Sequence, residues 1–153
     1  MLSLRDIQRA LVTTISKCKY DVSFDEVIQA DRPFFYVDLS VRSKSFDDTY
    51  FDRFIQVDIM FTPPKKGGRL QTKELYLMAD ELEKLIRPIF YVEDRAITIM
   101  EAEQTIVDGI LHYMFDLDFT DAFTDEEQEQ ITYELMRELE VTINYVGGNE
   151  DGK

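Results

Sequence analysis

One stretch of the chain, residues 94–121, most strongly limits what the chain can fold into. Asp108 and Gly109 separate two apolar runs, and Asp-Gly favours a two-residue hairpin turn because both of its positions tolerate positive φ. After the turn, strict alternation predicts a strand with one face on a core. The apolar face is Leu111, Tyr113, Phe115, Leu117 and Phe119, and the mixed face is His112, Met114, Asp116 and Asp118. We therefore expect two strands folded back on each other, which other elements must cover.

Two segments have the residue spacing of amphipathic helices. Residues 3–18 begin with Ser3, an N-cap candidate followed three residues later by Asp6. Residues 71–87 repeat the pattern, and Pro88 ends the second helix. The apolar stripes are Leu4, Ile7, Leu11, Ile15 and Cys18 in the first helix and Leu75, Met78, Leu82, Leu85 and Ile86 in the second.

Strands are predicted between these helices. Residues 34–42 and 50–62 alternate in the manner of strands and are separated by a polar turn, and a short strand is predicted within residues 20–31. Arg53 falls on the apolar face of the second long strand, where it interrupts the pattern.

The C-terminal part predicts a short acidic helix followed by a strand. Thr124 and Glu127 have the spacing of a capping box, which favours a helix start. Alternation of Leu135, Leu139, Val141, Ile143 and Tyr145 with polar residues predicts the last strand, interrupted by Arg137. A terminal strand of this kind could extend a sheet edge onto another chain.

The order of elements predicts an α+β fold. We expect a largely antiparallel, mixed β-sheet with two main helices on one face and a short acidic helix before the C-terminal strand. The length of 153 residues fits one domain with a core of its own. We expect that domain to cover residues 1–146 and residues 147–153 to form a flexible tail.

The charge is strongly acidic and unevenly placed. The formal net charge is −14, and residues 115–153 carry twelve of the 31 acidic residues but only two of the 17 basic ones. Tight wrapping of nucleic acid is disfavoured, because phosphate binding rests on Lys and Arg. The excess of acid either keeps the protein in solution or forms a surface that repels DNA or faces a basic partner.

Other features of the sequence predict where in the cell the protein is made and folds. Cys18 is the only cysteine, so no internal disulfide is expected. The chain opens without a leader pattern, and no apolar run approaches the roughly 18 residues of a membrane span. We expect a soluble domain made inside the cell, without membrane contact.

A search for catalytic or metal-binding patterns gives little. His112 shares a strand face with Asp116 and Asp118, but a rise of about 3.3 Å per residue spreads these positions over roughly 20 Å. One His and one Cys offer no nucleophile–base pair. We expect no catalytic residue, no metal and no cofactor, and therefore no enzyme.

Two features favour protein contacts without deciding their kind. One basic loop follows the second long strand and is either a solvated loop or a flexible arm that orders against a neighbouring subunit. Its residues are Pro63, Pro64, Lys65, Lys66, Gly67, Gly68 and Arg69. The second feature is a set of aromatic and methionine residues opposite the apolar strand faces, which either form an interface or are covered by a second layer such as the first helix. These are Phe34, Tyr36, Tyr50, Phe54, Met60, Met114 and Met136.

Seven segments in order resemble a family of small phage tail terminator proteins, which also occur in phage-like contractile particles of Gram-positive bacteria. The segments are LRDIQRAL, RPFFYVDL, RFIQVDIMFTP, LYLMADELEKL, VEDRAITI, IVDGILHYMFDLDFTD and MRELEVTINY. The acidic stretch TDEEQEQITYE before the last segment departs from the family pattern, where a shorter link is expected.

The resemblance implies a structural role without catalytic residues. It implies a homo-hexameric ring on the head-proximal end of the tail tube, which stops tube polymerisation and presents a surface to the neck or head connector. In contractile tails it also implies contact with the sheath. Such a protein is assembled in the cytoplasm of the bacterial host and becomes part of the tail, whether of a phage or of a headless bacteriocin particle. No sequence-specific nucleic acid binding is implied.

Two hypotheses about sites follow. The C-terminal acids line a central channel, where negative charge keeps passing DNA from sticking. The residues concerned are Asp116, Asp118, Glu126, Glu127 and Glu129. The basic loop contacts the tail tube or an adjacent subunit. The alternative from another class is a monomeric soluble adaptor or regulator that binds one partner without catalysis.

Overall fold

A computed structural model of the protein describes residues 1–25, 32–64 and 72–147, with side chains described to residue 141. Three helices and seven strands are present in these residues. The helices are α1 (Leu4–Ile15), which a 3-10 turn (Ser16–Cys18) continues, α2 (Thr72–Ile86) and α3 (Asp125–Gly147). The strands are β1 (Asp21–Ser23), β2 (Phe34–Ser45), β3 (Tyr50–Thr62), β4 (Ile89–Val92), β5 (Arg95–Thr98), β6 (Ala102–Val107) and β7 (Ile110–Ala122).

The main sheet has the strand order β1-β2-β3-β7-β6, and β4 pairs with β5 in a separate ribbon. Among the pairings of the described strands, only the short β1–β2 pairing is parallel, so the sheet is mixed and largely antiparallel. This confirms the α+β class with helices on the sheet. The division into a domain of residues 1–146 and a tail of residues 147–153 stays a prediction; Gly147 is the last residue of α3.

The hairpin predicted around Asp108 and Gly109 is present. The two residues have φ of 51° and 76°, and they join β6 to β7. Positive φ at both positions is the property for which Asp-Gly is selected in such turns. The stretch before the turn was predicted to be one strand, and that prediction was wrong. It contains two strands: β5, which pairs with β4, and β6, which pairs with β7.

The core lies between one face of the main sheet and the pair α1 and α2. Ile7, Leu11 and Ile15 of α1 and Leu82 and Ile86 of α2 are fully buried in the same cluster as the apolar face of β7. The predicted cap of α1 is confirmed, because the Ser3 hydroxyl accepts from the Asp6 backbone N–H at 3.1 Å and the Asp6 carboxylate accepts from the Ser3 backbone N–H at 3.0 Å. These buried positions belong to the predicted stripes, whereas Leu4 of the first stripe is 40% exposed and Leu85 of the second is half-buried.

The predicted C-terminal strand was wrong. Residues 125–147 form one continuous helix of 23 residues, and the expected short acidic helix is its first part. Ile131, Leu135 and Leu139 lie four residues apart, so they also satisfy a helical period, and Glu, Leu, Met and Arg favour helix. The Thr124 hydroxyl accepts from the Glu127 N–H at 3.3 Å and starts the helix there. Residues 125–147 thus do not supply a strand that could extend the sheet.

Two buried groups on the helix side are predicted to make stability fall at alkaline pH. Burial and the Glu81 carboxylate raise the pKa of the Cys18 thiol from 9.0 to about 11. Burial and the Glu83 carboxylate, which accepts from the Tyr113 hydroxyl at 2.7 Å, also raise the pKa of Tyr113. Because the unfolded state loses these protons first, the contribution of Cys18 is complete below about pH 9 and falls as pH rises toward about 11.

We expect the urea midpoint of the protein to drop between about pH 8 and about pH 11, and to drop less in the Cys18→Ala variant. The quantity compared is the change of the urea midpoint with pH within each protein. A loss of stability from the smaller alanine side chain that is the same at every pH therefore cancels. An equal pH dependence in both proteins would show that the folded state does not disfavour the Cys18 thiolate.

Candidate assembly surfaces

The face of the main sheet opposite α1 and α2 is here called the open face, because no described helix packs on it. It consists of the alternate side chains of β2, β3, β7 and β6 that point away from the core. The N-terminal helix was weighed as a cover for this face, and that alternative was wrong, since the apolar stripe of α1 is in the core. Phe34, Tyr36, Phe54, Met60 and Met114 are half-buried there, while Tyr50 is exposed and Met136 lies on α3.

The open face is acidic across its middle. Asp38 and Asp58 are directly opposite each other on β2 and β3, and Glu103 lies opposite Met114 on the next pair. Like charges at directly opposed positions destabilise a sheet by up to about 1 kcal/mol. Asp58 has a partner that offsets part of this cost, because the His112 ring nitrogen lies 3.1 Å from its carboxylate.

Asp116 and Asp118, the first two of the predicted channel acids, are exposed on the open face of β7. Their cross-strand neighbours on β3 are Gln56 and Phe54, so neither carboxylate faces a cation on that strand. They add two exposed negative charges to the acidic band of the open face.

The other three predicted acids lie apart from these, at the start of α3. Glu126 and Glu129 are exposed. Glu127 is half-buried: its carboxylate accepts from the Thr124 backbone N–H at 2.8 Å and lies 3.8 Å from the Met1 amine. The hydrogen bond from Thr124 lowers the pKa of Glu127. The structure thus divides the five acids into a pair on the sheet and a group of three on a helix, one of which caps that helix.

His112 has a partner that the sequence did not suggest. Its Nδ1 lies 3.1 Å from Oδ2 of Asp58, on the diagonal of the β3–β7 pairing. Across residues 1–25, 32–64 and 72–147, no three His, Cys, Asp or Glu side chains are grouped in the manner of a metal site. The arrangement of His112 with Asp58 is that of a cross-strand pair on a half-buried surface.

The basic loop lies only partly within the described residues. Pro63 is buried and Pro64 is half-buried, and both follow directly after β3. Lys65, Lys66, Gly67, Gly68 and Arg69 lie outside the described residues. The N-terminal end of the loop, Pro63 and Pro64, is therefore packed against the domain.

Two features of the surface were missed from the sequence. The first is a polar cluster at the N-terminus: Asp121 is buried, accepts from the Leu2 backbone N–H at 2.8 Å and lies 3.4 Å from the Arg95 guanidinium, while Arg53 donates to the Leu2 carbonyl. The second is the exposed apolar side of α3, on which Leu135 is 62% and Leu139 61% exposed. The signal in the sequence is the four-residue spacing of Ile131, Leu135 and Leu139, whereas the predicted strand used only Leu135 and Leu139 of these.

None of the described helices has both the length and the apolar composition needed to cross a bilayer. The chain matches no curated protein sequence. A family model described as "Phage tail terminator protein" matches residues 4–130, a range that runs from the first residue of α1 into the second turn of α3. That range includes every strand of the sheet and both core helices. Since the match covers most of the chain and the whole packed domain, the chain belongs to the phage tail terminator family, a family of structural proteins of the phage tail.

Proposed function

We propose that the protein closes the head-proximal end of the tail tube as a hexameric ring and so stops tube polymerisation. The observation that carries the proposal is the family match over residues 4–130, which takes in the complete packed domain. In this proposal the ring is assembled in the cytoplasm of the bacterial host. It also joins the tube to the neck or connector and, in a contractile tail, to the last sheath layer.

The physical requirement for growth arrest is that the two ends of the ring differ. A subunit whose two ends are complementary to each other propagates head to tail as a filament, whereas a ring that matches the tube on one end only stops growth.

We also propose that the five acids singled out in the sequence line the central channel of the ring. In a ring with the open face turned inward, Asp116 and Asp118 line the channel, with Glu126, Glu127 and Glu129 at its end. Negative charge on that wall raises the energy of DNA close to it and keeps a passing duplex from binding. The exposure of Asp116 and Asp118 on the open face supports this placement.

The direct test of the proposal is the tube length in particles that lack the protein. We expect tubes of uncontrolled length without a defined head-proximal end, and expression of the chain in trans should restore a single length. Normal tubes that end and join correctly in its absence would refute the proposed arrest.

A deletion tests the loop that follows β3. We propose that the basic loop, residues 63–69, contacts the tail tube or an adjacent subunit, and the concentration of positive charge beside the anchored Pro63 supports this. The deletion removes residues 65–68. Removing these four residues is expected to produce over-long or uncapped tubes while the isolated protein melts at an unchanged temperature. Tubes of normal length and normal capping would count against this contact.

The adaptor alternative differs from the ring in its stoichiometry. An adaptor stays a monomer with one bound partner, while a ring subunit oligomerises as concentration rises or when tubes are added. Light scattering over a range of protein concentrations, with and without purified tubes, separates the two functions.

A further inference from the structure

The distal part of α3 is an amphipathic helix whose apolar side has no partner among the described residues. All residues from 129 to 141 are exposed, and the family match ends at residue 130. Ile131, Leu135 and Leu139 follow each other at four-residue spacing and are 40%, 62% and 61% exposed. We call these three side chains the α3 stripe. Burial of such a stripe is favourable, so it is suited to contact another surface.

The start of α3 is anchored, so the helix leaves the domain in a set direction. The Phe123 N–H donates to the Thr49 carbonyl at 2.9 Å, and the Gln128 amide donates to the Thr49 hydroxyl at 2.7 Å. The ring of Phe123 also packs on that of Phe51, with centroids 4.7 Å apart. From this anchor, a helix of 23 residues extends about 35 Å, at about 1.5 Å per residue. The stripe is thereby carried away from the core of its own protomer.

The charge beside the stripe restricts what can cover it. Residues 125–141 contain seven carboxylates and one guanidinium, that of Arg137. Two α3 helices packed against each other would bring these carboxylates together, which disfavours a helix–helix pair of identical copies. The charge instead favours an apolar groove with basic margins.

The protomer itself has such a groove, on the outer side of its helix layer between α1 and β4. It encloses about 340 Å³ and is bordered by Arg9 of α1 and by Lys17 of the 3-10 turn that follows α1. Arg9 pairs with Asp6 at 3.6 Å and with Glu93 at 3.2 Å, and Glu93 also borders the groove. Lys17, in contrast, has no ion pair with any described residue, so it is the cation that an incoming carboxylate can reach. The apolar lining includes Ala10, Leu85, Ile89, Phe90 and Tyr91. Ile89 and Tyr91 are 41% and 63% exposed, so this lining lacks a cover in the single protomer.

We propose that the α3 stripe of one copy docks into the α1–β4 groove of the next copy, with the carboxylate flank that includes Glu134 facing Arg9 and Lys17. The occupant of the groove is thus a second copy of this chain. Stripe and groove are different surfaces, so each copy donates one helix and receives one, and the contact closes as a ring when the rotation permits. The inference rests on the proposed function, because it supplies a contact for that ring.

The test uses two single-cysteine variants mixed in the presence of purified tubes. Leu135→Cys places a thiol on the stripe. Thr13 also lines the groove, so Thr13→Cys places a thiol there, in a copy that carries a size tag. A flexible bis-maleimide is expected to join tagged to untagged chains. Arg137→Cys, on the side of α3 away from the stripe, is the matched control and should crosslink at least tenfold less. The wild type measures any background from Cys18, which is buried.

A charge exchange adds specificity to the test. Glu134→Lys in the Leu135→Cys chain is expected to lower the crosslink yield severalfold, and Lys17→Glu in the Thr13→Cys chain should restore it. Glu134 and Lys17 are exposed, so both variants should melt as the wild type does. Equal yields in all combinations would overturn the proposed orientation.

The remaining outcomes separate this inference from the function on which it rests. Capped tubes of normal length without any crosslink between copies would overturn the docking and leave the terminator function standing. A crosslink that forms only within a chain carrying both cysteines would also overturn it, in favour of docking within one protomer. Wild-type protein that never associates with tube ends would refute the terminator function itself.

Discussion

Replacing Asp121 with alanine is expected to lower the free energy of unfolding by about 3 kcal/mol, which corresponds to a fall in melting temperature of roughly 6 to 12 °C. Asp121 is only 5% exposed, although it is charged. Its carboxylate accepts from the backbone N–H of Leu2 and of Ala122 at 2.8 and 2.9 Å and lies 3.4 Å from the Arg95 guanidinium. Alanine would leave these donors without their acceptor.

The same change affects Arg53 through the Leu2 peptide. Arg53 is 7% exposed and donates to the Leu2 carbonyl, while the N–H of Leu2 is held by Asp121. Removal of one member of a buried ionic group costs more than the group contributes when intact, because a desolvated charge remains. Arg95 is 38% exposed and can regain water, which places the expected loss at the low end of the range for buried pairs.

Two control variants sharpen the stability measurement. Asp118→Ala removes an exposed carboxylate from the same strand and should change the unfolding free energy by less than about 0.5 kcal/mol. Asp121→Asn keeps an acceptor for the Leu2 N–H but not the charge, so its effect should fall between the other two. A loss below about 1 kcal/mol for Asp121→Ala in chemical denaturation would contradict the role given to this cluster.

The second large effect concerns DNA. Reversal of charge by Asp116→Lys with Asp118→Lys should convert a channel wall that repels DNA into one that binds it. Proteins that bind DNA non-specifically through Lys and Arg typically have a dissociation constant between about 10⁻⁴ and 10⁻⁶ M at physiological salt. We therefore expect a short labelled duplex to bind tubes capped by the variant in this range, and not to bind tubes capped by the wild type.

Salt dependence and a matched variant test the location of the charge. If about six phosphates are neutralised per duplex, affinity should fall about a thousandfold between 50 and 200 mM salt. Asp80→Lys with Asp94→Lys makes the same change of net charge at exposed positions outside the open face, and it should leave duplex binding to the channel unchanged. Equal binding by both variants would show that total charge decides, and would refute the assignment of the open face to the channel.

The local parts of the fold were predictable because their signals lie within a few residues. Asp108 and Gly109 specify a turn through their own backbone preferences, and Ser3 with Asp6 caps α1 within one turn. The strands β2 and β3 followed from alternation, with β2 extending to Ser45 instead of Arg42. At the N-terminus of the β2–β3 turn, Asp47 accepts from the N–H groups of Thr49 and Tyr50, which lowers its pKa and fixes the turn locally.

The C-terminal strand was mispredicted because the apolar positions near Leu135 fit two periods. Leu135 and Leu139 fit both a helical period and a strand period. Helix is distinguished from strand here only by the capping box at Thr124 and by the helix-forming residues that follow it. A buried strand also needs a sheet edge to pair with, and the sequence alone does not say whether an edge is free. The helical signals deserved more weight than the alternation.

The partners of charged residues were not predictable, because they depend on the pairing of distant strands. Arg53 was visible as a charge on an apolar face, but its acceptor is the carbonyl of Leu2 and the adjoining carboxylate is Asp121. His112 similarly meets Asp58 only through the register between β3 and β7. Candidate surfaces could be proposed from the sequence, whereas the division of the acids between β7 and α3 required the fold.

The central claim is that the protein acts at one position, the head-proximal end of a growing tube. Gold labelling of a C-terminal tag on mature tails, viewed by electron microscopy, measures that position directly. We expect one cluster of label per tube, always at the head-proximal end and never along the length. Label spread uniformly along the tubes would contradict it, because a subunit present in every layer cannot be the one that ends growth.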